Sequence, residues 1–151
     1  MRLYFRWLEN LSPYTMKKYL AIPLVLLISA CLAQTKPVKI VFDVTSKEES
    51  VHDKTIRHVQ MMSKAYPDAE FEVVIYSGAI DMVLEGKSTV SEQIESFEHN
   101  DQVSFKVCEA TMKRFDVTNS QLLAGVETVP DGILEIVIRQ SEGWGYIKEI
   151  P

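Results

Sequence analysis

The stretch VSFKVCEATMKRF, residues 103–115, changes its repeat in the middle. Val103, Phe105 and Val107 alternate with Ser104, Lys106 and Cys108, which is the two-residue period of a strand. From Glu109 to Phe115 the pattern turns helical, so a strand is expected to hand over to a helix at Cys108. The same exchange recurs on both sides. KIVFDVT (39–45) is rich in β-branched residues and runs into the polar loop SKEES. A helix is expected from about Asp53 to Tyr66, with Ile56, Val59, Met62 and Tyr66 as its apolar stripe and Pro67–Asp68 as its stop. EFEVVIYSG (70–78) reads as a second strand, followed by a short apolar turn from Ile80 to Leu84 that stops at Gly86.

Further along, Thr89 and Glu92 stand at capping-box spacing in a segment that carries Val90, Ile94 and Phe97 at helical intervals. Beyond residue 115, GVETV (125–129) reads as a short fourth strand and WGYIKEI (144–150) as a terminal one. Between them, Pro130 and Asp131 open a last helix. Ile133, Leu134, Ile136, Val137 and Ile138 make it apolar nearly all round, so it is expected to be buried or to lie at a subunit contact. Strands alternating with helices predict an α/β fold, a three-layer α/β/α sandwich with a mainly parallel sheet of about five strands. Ligand chemistry in such sheets gathers beyond the carboxyl ends of the strands. That rule points to the TSKEES loop, the Ser77–Gly78 turn and Cys108.

The chain has 151 residues, enough for one core, and its first 33 differ from the rest. MKKYLAIPLVLLISACLAQ (16–34) has Lys17 and Lys18, an apolar run from Tyr19 to Ile28, and then small residues, the layout of a secretory signal. The run is shorter than the ~20 residues of a membrane span. Met16 is expected to be the true start, with residues 1–15 as an extension, and residues 34–151 form a single domain. Two cleavage readings stand. ISAC resembles a lipobox, which would make Cys31 a lipidated first residue, while CLAQ permits ordinary cleavage after Ala33. The protein is then exported, periplasmic or secreted, and touches membrane through the signal or a lipid anchor alone. Without Arg2, Arg6, Glu9, Lys17 and Lys18, the body carries 12 basic and 20 acidic residues, a formal charge of −8. So acidic a body excludes nucleic acid as a partner.

Cys108 is the one cysteine outside the leader, and at the start of a helix its thiolate would meet unsatisfied amides and the positive end of the dipole. The thiolate is the form that attacks a disulfide or sulfane sulfur. Lys106, Lys113 and Arg114 would add to this, and Glu109 would oppose it. The plain alternative is a small buried residue that only packs. No C-x-x-C is present, which excludes a dithiol cycle of the thioredoxin type. His52 and Asp53, at the start of the first helix, stand next to the loop expected to face Cys108. They are read either as assisting groups or as a solvated helix cap. His58 and His99 lie apart from them, and three scattered histidines make no metal site. DVTSKEES lacks the glycines of a phosphate loop, so neither a nucleotide nor any other cofactor is expected. Trp144 and Tyr146 share one face of the terminal strand, where core or subunit packing is the default and a ligand role the alternative.

VSFKVCEATMKRFDV resembles the cysteine segment of the DsrE/DsrF-like family, which includes TusD-type sulfur-relay subunits. In that family a strand ends in cysteine, followed by small residues and a helix with basic residues. LLAGVETVPDGILEIVIRQSEGWGYIK (122–148) resembles a subgroup of unassigned activity that ends in a hydrophobic-Pro-x-Gly helix and a Gly-Trp/Tyr-x-Tyr-Ile-Lys strand. The resemblance runs from about Lys39 to Lys148. It implies an α/β/α fold, homo- or hetero-oligomers such as trimers or hexamers, and, in the relay members, a persulfide on the matching cysteine. By position that role falls on Cys108. Relay members act in the cytosol, whereas this chain is expected to be exported. The expectation is therefore an envelope protein, at most a sulfurtransferase-like sulfur carrier, that assembles with itself. It exchanges sulfur through Cys108 with a donor or acceptor protein or a small thiol. The alternative is a non-catalytic oligomeric binding module in which Cys108 only packs.

Overall fold

In the computed structural model, which describes residues 37–151, strands form where the sequence alternates. They are β1 (Lys39–Val44), β2 (Glu70–Ile75), β3 (Val103–Cys108), β4 (Val126–Val129) and β5 (Gly145–Glu149). The helices between them are α1 (Glu49–Ala65), α2 (Ser91–Glu95), α3 (Glu109–Arg114) and α4 (Gly132–Ser141), with 3₁₀ turns at Ser77–Val83 and Asn119–Gln121. The expected leader, the start at Met16 and the lipidation of Cys31 lie outside the described residues. Among those described, no helix is long and apolar enough to cross a membrane.

The strands form one sheet in the order β4-β3-β2-β1-β5, and every neighbouring pair is parallel. Crossovers between parallel strands are right-handed in nearly all proteins. From β1 to β4 the chain steps in one direction across the sheet, so all three connections fall on one face. The return from β4 to β5 runs the other way and places α4 alone on the opposite face. This is the expected α/β/α layering, with one layer reduced to a single helix.

The two faces differ in chemistry as well as in cover. On the first, the row Ile147–Phe42–Val73–Phe105–Val126 crosses all five strands in register. Val51, Ile56 and Val59 of α1, Ile80 and Met82 of the 3₁₀ turn, Ile94 of α2 and Met112 of α3 pack on it. Each fully buried Phe or Ile there stabilises the fold by about 1.5–3 kcal/mol. One residue further along the strands, the second face reads Lys148–Asp43–Val74–Lys106–Glu127. Its apolar contact with α4 is small: Val41, Val74 and Ile136, with Tyr76 and Trp144 beside them.

Several helix details depart from expectation. The helix α1 begins four residues early, at Glu49, because an acidic residue in the first turn suits the helix dipole and Val51 gains burial. Tyr66 lies just past its end and is exposed, not part of the stripe. Thr89 and Glu92 form no capping box; Val90 caps α2 without a side-chain bond. A capping box forms instead between Thr118 and Gln121, at the second 3₁₀ turn. In α4 only Gly132 and Ile136 are buried, while Ile133, Leu134, Val137 and Ile138 face outwards.

What holds α4 down is largely polar. Arg139 Nε donates to both carboxylate oxygens of Glu72, at 3.1 and 3.0 Å, and Glu72 is buried on the sheet face that the helix covers. Glu135 and Glu142 flank the same guanidinium at 2.8 and 3.1 Å, and its cation rests over the Trp144 ring. Burial pushes the Glu72 carboxyl up, against the pull of Arg139, and the Glu72 hydrogen bonds hold Arg139 above its ordinary range. Removing one member of such a pair leaves the other charge buried and unpaired. Arg139→Met is therefore expected to cost about 3–5 kcal/mol in urea unfolding, and Glu72→Met in the same chain to recover most of it. A cost near zero for Arg139→Met would show that the pair does not anchor α4.

Candidate functional site

Cys108 is both the last residue of β3 and the N-cap of α3, as the change of repeat at this position predicts. Val107 turns to the large core, so the next side chain points to the α4 face. There Cys108 is 5% exposed. The first residue of α4 lies directly on it. A Cβ at Gly132 would stand 3.2 Å from Cys108 Cβ and 3.3 Å from both Tyr76 Cδ1 and Val74 Cγ1. Only glycine lets a helix start approach a sheet this closely. Asp131 caps α4, its Oδ1 accepting from the backbone amides of Ile133 at 2.8 Å and Leu134 at 3.1 Å.

The starts of α3 and α4 thus meet at one thiol. Asp131 is committed to its cap, and Glu109 is turned to the Thr128 hydroxyl, which donates to it at 2.9 Å. Cys108 forms the floor of a cleft of about 370 Å³ walled by Tyr76, Ser77, Ala110, Thr111, Arg114, Asp131 and Ile133. Ser77 sits at φ 58°, in the left-handed region that costs a non-glycine residue about 1–2 kcal/mol. Its amide donates to Thr111 Oγ1 at 3.0 Å, which ties the end of β2 to the first turn of α3.

A second polar group adjoins the cleft through Tyr76. Asp43, buried at the end of β1, accepts from Tyr146 Oη at 2.7 Å and from Lys148 Nζ at 2.8 Å. Lys148 also donates to Thr45 Oγ1 at 2.7 Å, and its ammonium lies 5.7 Å from the centre of the Tyr76 ring. Burial, and then the Asp43 carboxylate, push the Tyr76 hydroxyl up to about 12. The hydrogen bond to Asp43 does the same for Tyr146. Both phenols therefore stay protonated through the neutral range.

The assisting groups expected from sequence are not at the thiol. His52 is no solvated cap: the early start of α1 turns it inwards, 2% exposed, with Nε2 at 2.8 Å from the Ser46 carbonyl. Asp53 is exposed on the same helix, which covers the opposite face of the sheet from Cys108. Lys106 shares the face of Cys108, but its ammonium pairs with Glu127 of β4 and does not line the cleft. Of the cations considered, Arg114 is the one that lines it. The Ser77 turn and Cys108 do share the cleft, while the TSKEES loop packs behind it against Gly78. His58 Nδ1 meets Glu149 at 2.8 Å. His99 lines a larger cleft of about 520 Å³ with Glu98, Asp101 and Glu127, which holds no thiol. Trp144 packs under α4, consistent with a packing role, and Tyr146 holds Asp43. The sequence does not single out Tyr76 and Gly132 beside the thiol, or Asp43 and Lys148 behind Tyr76; an acid inside the apolar run KIVFDV is the one sign of them it offers.

Folded values for Tyr76 and Tyr146 near 12, against an ordinary 10, mean that the native chain holds these protons more tightly than the unfolded one. Stability is expected to be flat up to about pH 10 and to fall as the pH rises towards 12. Each tenfold gain in proton affinity corresponds to about 1.4 kcal/mol, less for the half-exposed Tyr146, where solvent screens the interaction. Urea midpoints between about pH 9 and 11.5 should fall more steeply in the parent than in Tyr76→Phe/Tyr146→Phe. Equal slopes would contradict the assignment.

The family model described as the DsrE/DsrF-like family matches residues 38–148. No curated protein matches the chain in sequence. Among solved structures it is similar to MTH1491 from Methanobacterium thermoautotrophicum, a protein of unknown function, with 29% identity and a TM-score of 0.68. That match covers 74% of this chain and 98% of the other. The ychN protein from E. coli shares the fold at 14% identity and a TM-score of 0.60, over 76% of this chain and 99% of its own. So does BT1422 from Bacteroides thetaiotaomicron, also of unknown function, at 11% identity and a TM-score of 0.59, over 73% and 93%. With its cysteine segment, its terminal helix and its terminal strand as far as Lys148 inside the matched residues, the chain belongs to the DsrE/DsrF-like family.

Proposed function

We propose that Cys108 carries sulfane sulfur as a persulfide. The observation behind this reading is the convergence of two helix starts on a thiol that floors a cleft. Membership of a family associated with sulfur relay supports it. In the step that follows, the Cys108 thiolate attacks the outer sulfur of a persulfide or polysulfide donor. The donor's sulfur–sulfur bond breaks, and its electron pair leaves on the donor's remaining sulfur. The new persulfide passes its outer sulfur to an acceptor thiolate in the same way, which restores Cys108. No oxidant or reductant enters, because the sulfane sulfur only changes hands. The signal-like leader supports action in the cell envelope, with Cys31 as a lipid anchor if the lipobox is used.

A second reading has its own support. Cys108 is 5% exposed and lies against Gly132, which suits a residue that only packs. The protein would then be a non-catalytic oligomeric binding module. Both readings include self-assembly into a trimer or hexamer, favoured by the outward apolar face of Ile133, Leu134, Val137 and Ile138 on α4.

Incubation with polysulfide is expected to add the mass of one sulfur to the protein and none at that position to Cys108→Ser. An unmodified Cys108 in the parent would remove the carrier reading and leave the packing role. Assembly is tested at Val137, because Ile136 faces the sheet and its loss would disturb folding. Val137→Asp is expected to shift sedimentation to the monomer with an unchanged circular dichroism spectrum. Unchanged sedimentation would contradict assembly through α4.

A further inference from the structure

The wall of the Cys108 cleft carries two charged side chains with different commitments. Asp131 spends its carboxylate on the start of α4. Arg114, at the end of α3, is exposed, and its guanidinium lies 5.7 Å from the centre of the Phe115 ring. Among the described residues it enters no ion pair, as is also true of Lys47, Lys54, Arg57, Lys64 and Lys113, but it is the one of these that lines the cleft of the thiol. An uncommitted cation beside the thiol stands out on a body with a formal charge of −8, which repels anions from most of its surface. Thr111 and Ser77 add hydroxyl-bearing side chains to the lining. The volume of about 370 Å³ falls within the ~300–1,000 Å³ of small-molecule sites, and the thiol lies at its floor.

On the reading that Cys108 accepts sulfane sulfur, we propose that its donor is a small anion, whose charged end is held by Arg114 while its outer sulfur meets Cys108 Sγ. The shared chemistry is a sulfane sulfur on an anionic leaving group, as in thiosulfate or in a carboxylate-bearing organic persulfide. With thiosulfate, the Cys108 thiolate bonds to the outer sulfur and the sulfur–sulfur bond breaks. Sulfite leaves with the electron pair, and the persulfide keeps the single negative charge that the thiolate brought. With an organic persulfide the leaving group is the parent thiolate. Arg114 meets the part of the donor that becomes the leaving group, where negative charge grows as the bond breaks.

Two alkylating agents of nearly equal size separate charge from access: iodoacetate is an anion and iodoacetamide is neutral. The ratio of their rates at Cys108, read by peptide mass, is expected to fall about fivefold in Arg114→Gln, the size of a partly exposed ion pair, and to be largely kept in Arg114→Lys. Thiosulfate and glutathione persulfide, each used alone, should load sulfur on the parent more than on Arg114→Gln, and the better of the two identifies the source. An unchanged alkylation ratio overturns the proposal. So does loading by polysulfide with none from either anionic donor, or loading that requires an added protein donor; in all these cases Cys108 remains a sulfur acceptor. Failure of polysulfide itself to load Cys108 removes the carrier reading, and this proposal with it. Arg114→Gln should leave the urea midpoint unchanged, since the side chain is exposed and unpaired, so a loss of folding does not enter the comparison.

Discussion

The handedness of parallel crossovers governs this molecule. Three successive steps from β1 to β4 consume one face of the sheet, and the single return to β5 leaves the other face to a ten-residue helix. A helix of that length covers only part of five strands. The residues beneath and beside it therefore meet water at their margins and can be charged. Along β1, Phe42 is fully buried in the large core while its neighbour Asp43 turns to the α4 face and binds Lys148 and Tyr146. Chemistry is possible on the second face because apolar cover there is incomplete.

Incomplete cover also means that α4 must be positioned by something other than apolar area. Glu72 and Arg139 supply a fixed, two-pronged contact near one end of the helix, and Gly132 supplies close approach at the other. A buried ion pair adds little net stability over a well-packed apolar pair, but it admits few alternative placements of its partners. Among the described residues no buried side-chain nitrogen or oxygen lacks a hydrogen-bond partner. The polar layer is thus satisfied, and the position of the α4 start over Cys108 follows from it.

Much of this fold is legible in the sequence, since a two-residue repeat followed by a helical one identifies each strand and its crossover. The junction at Cys108 is legible for the same reason. The neighbours of Cys108 are not. Tyr76 and Gly132 come from segments 32 residues before it and 24 after it, and only register and crossover handedness bring them together. Sequence proximity misleads at the same place. His52 and Asp53 follow a strand-end loop and invite assignment to the site, but α1 belongs to the opposite face. Lys106 is two residues from Cys108 on the same face, yet the adjacent strand presents Glu127 to it. The capping box at Thr89 loses to a local competition, because burying Val90 and Ile94 fixes where α2 begins.

Open parallel sheets usually bind ligands where the strand order reverses. Here that point lies between β1 and β5, and Asp43, Thr45, Tyr146 and Lys148 fill it with their own hydrogen bonds. The open cleft is displaced by two strand positions, to the ends of β2 and β3, and Tyr76 lies between the two. Displacement matters for the thiol. Toward α4, a methyl group on Gly132 would make a tight 3.2 Å contact with Cys108 Cβ. The second sulfur proposed for Cys108 would have its room in the cleft lined by Thr111 and Arg114. Close packing against Gly132 and an opening to the cleft thus occur together at Cys108, so low exposure is compatible with a thiol that lines a cleft.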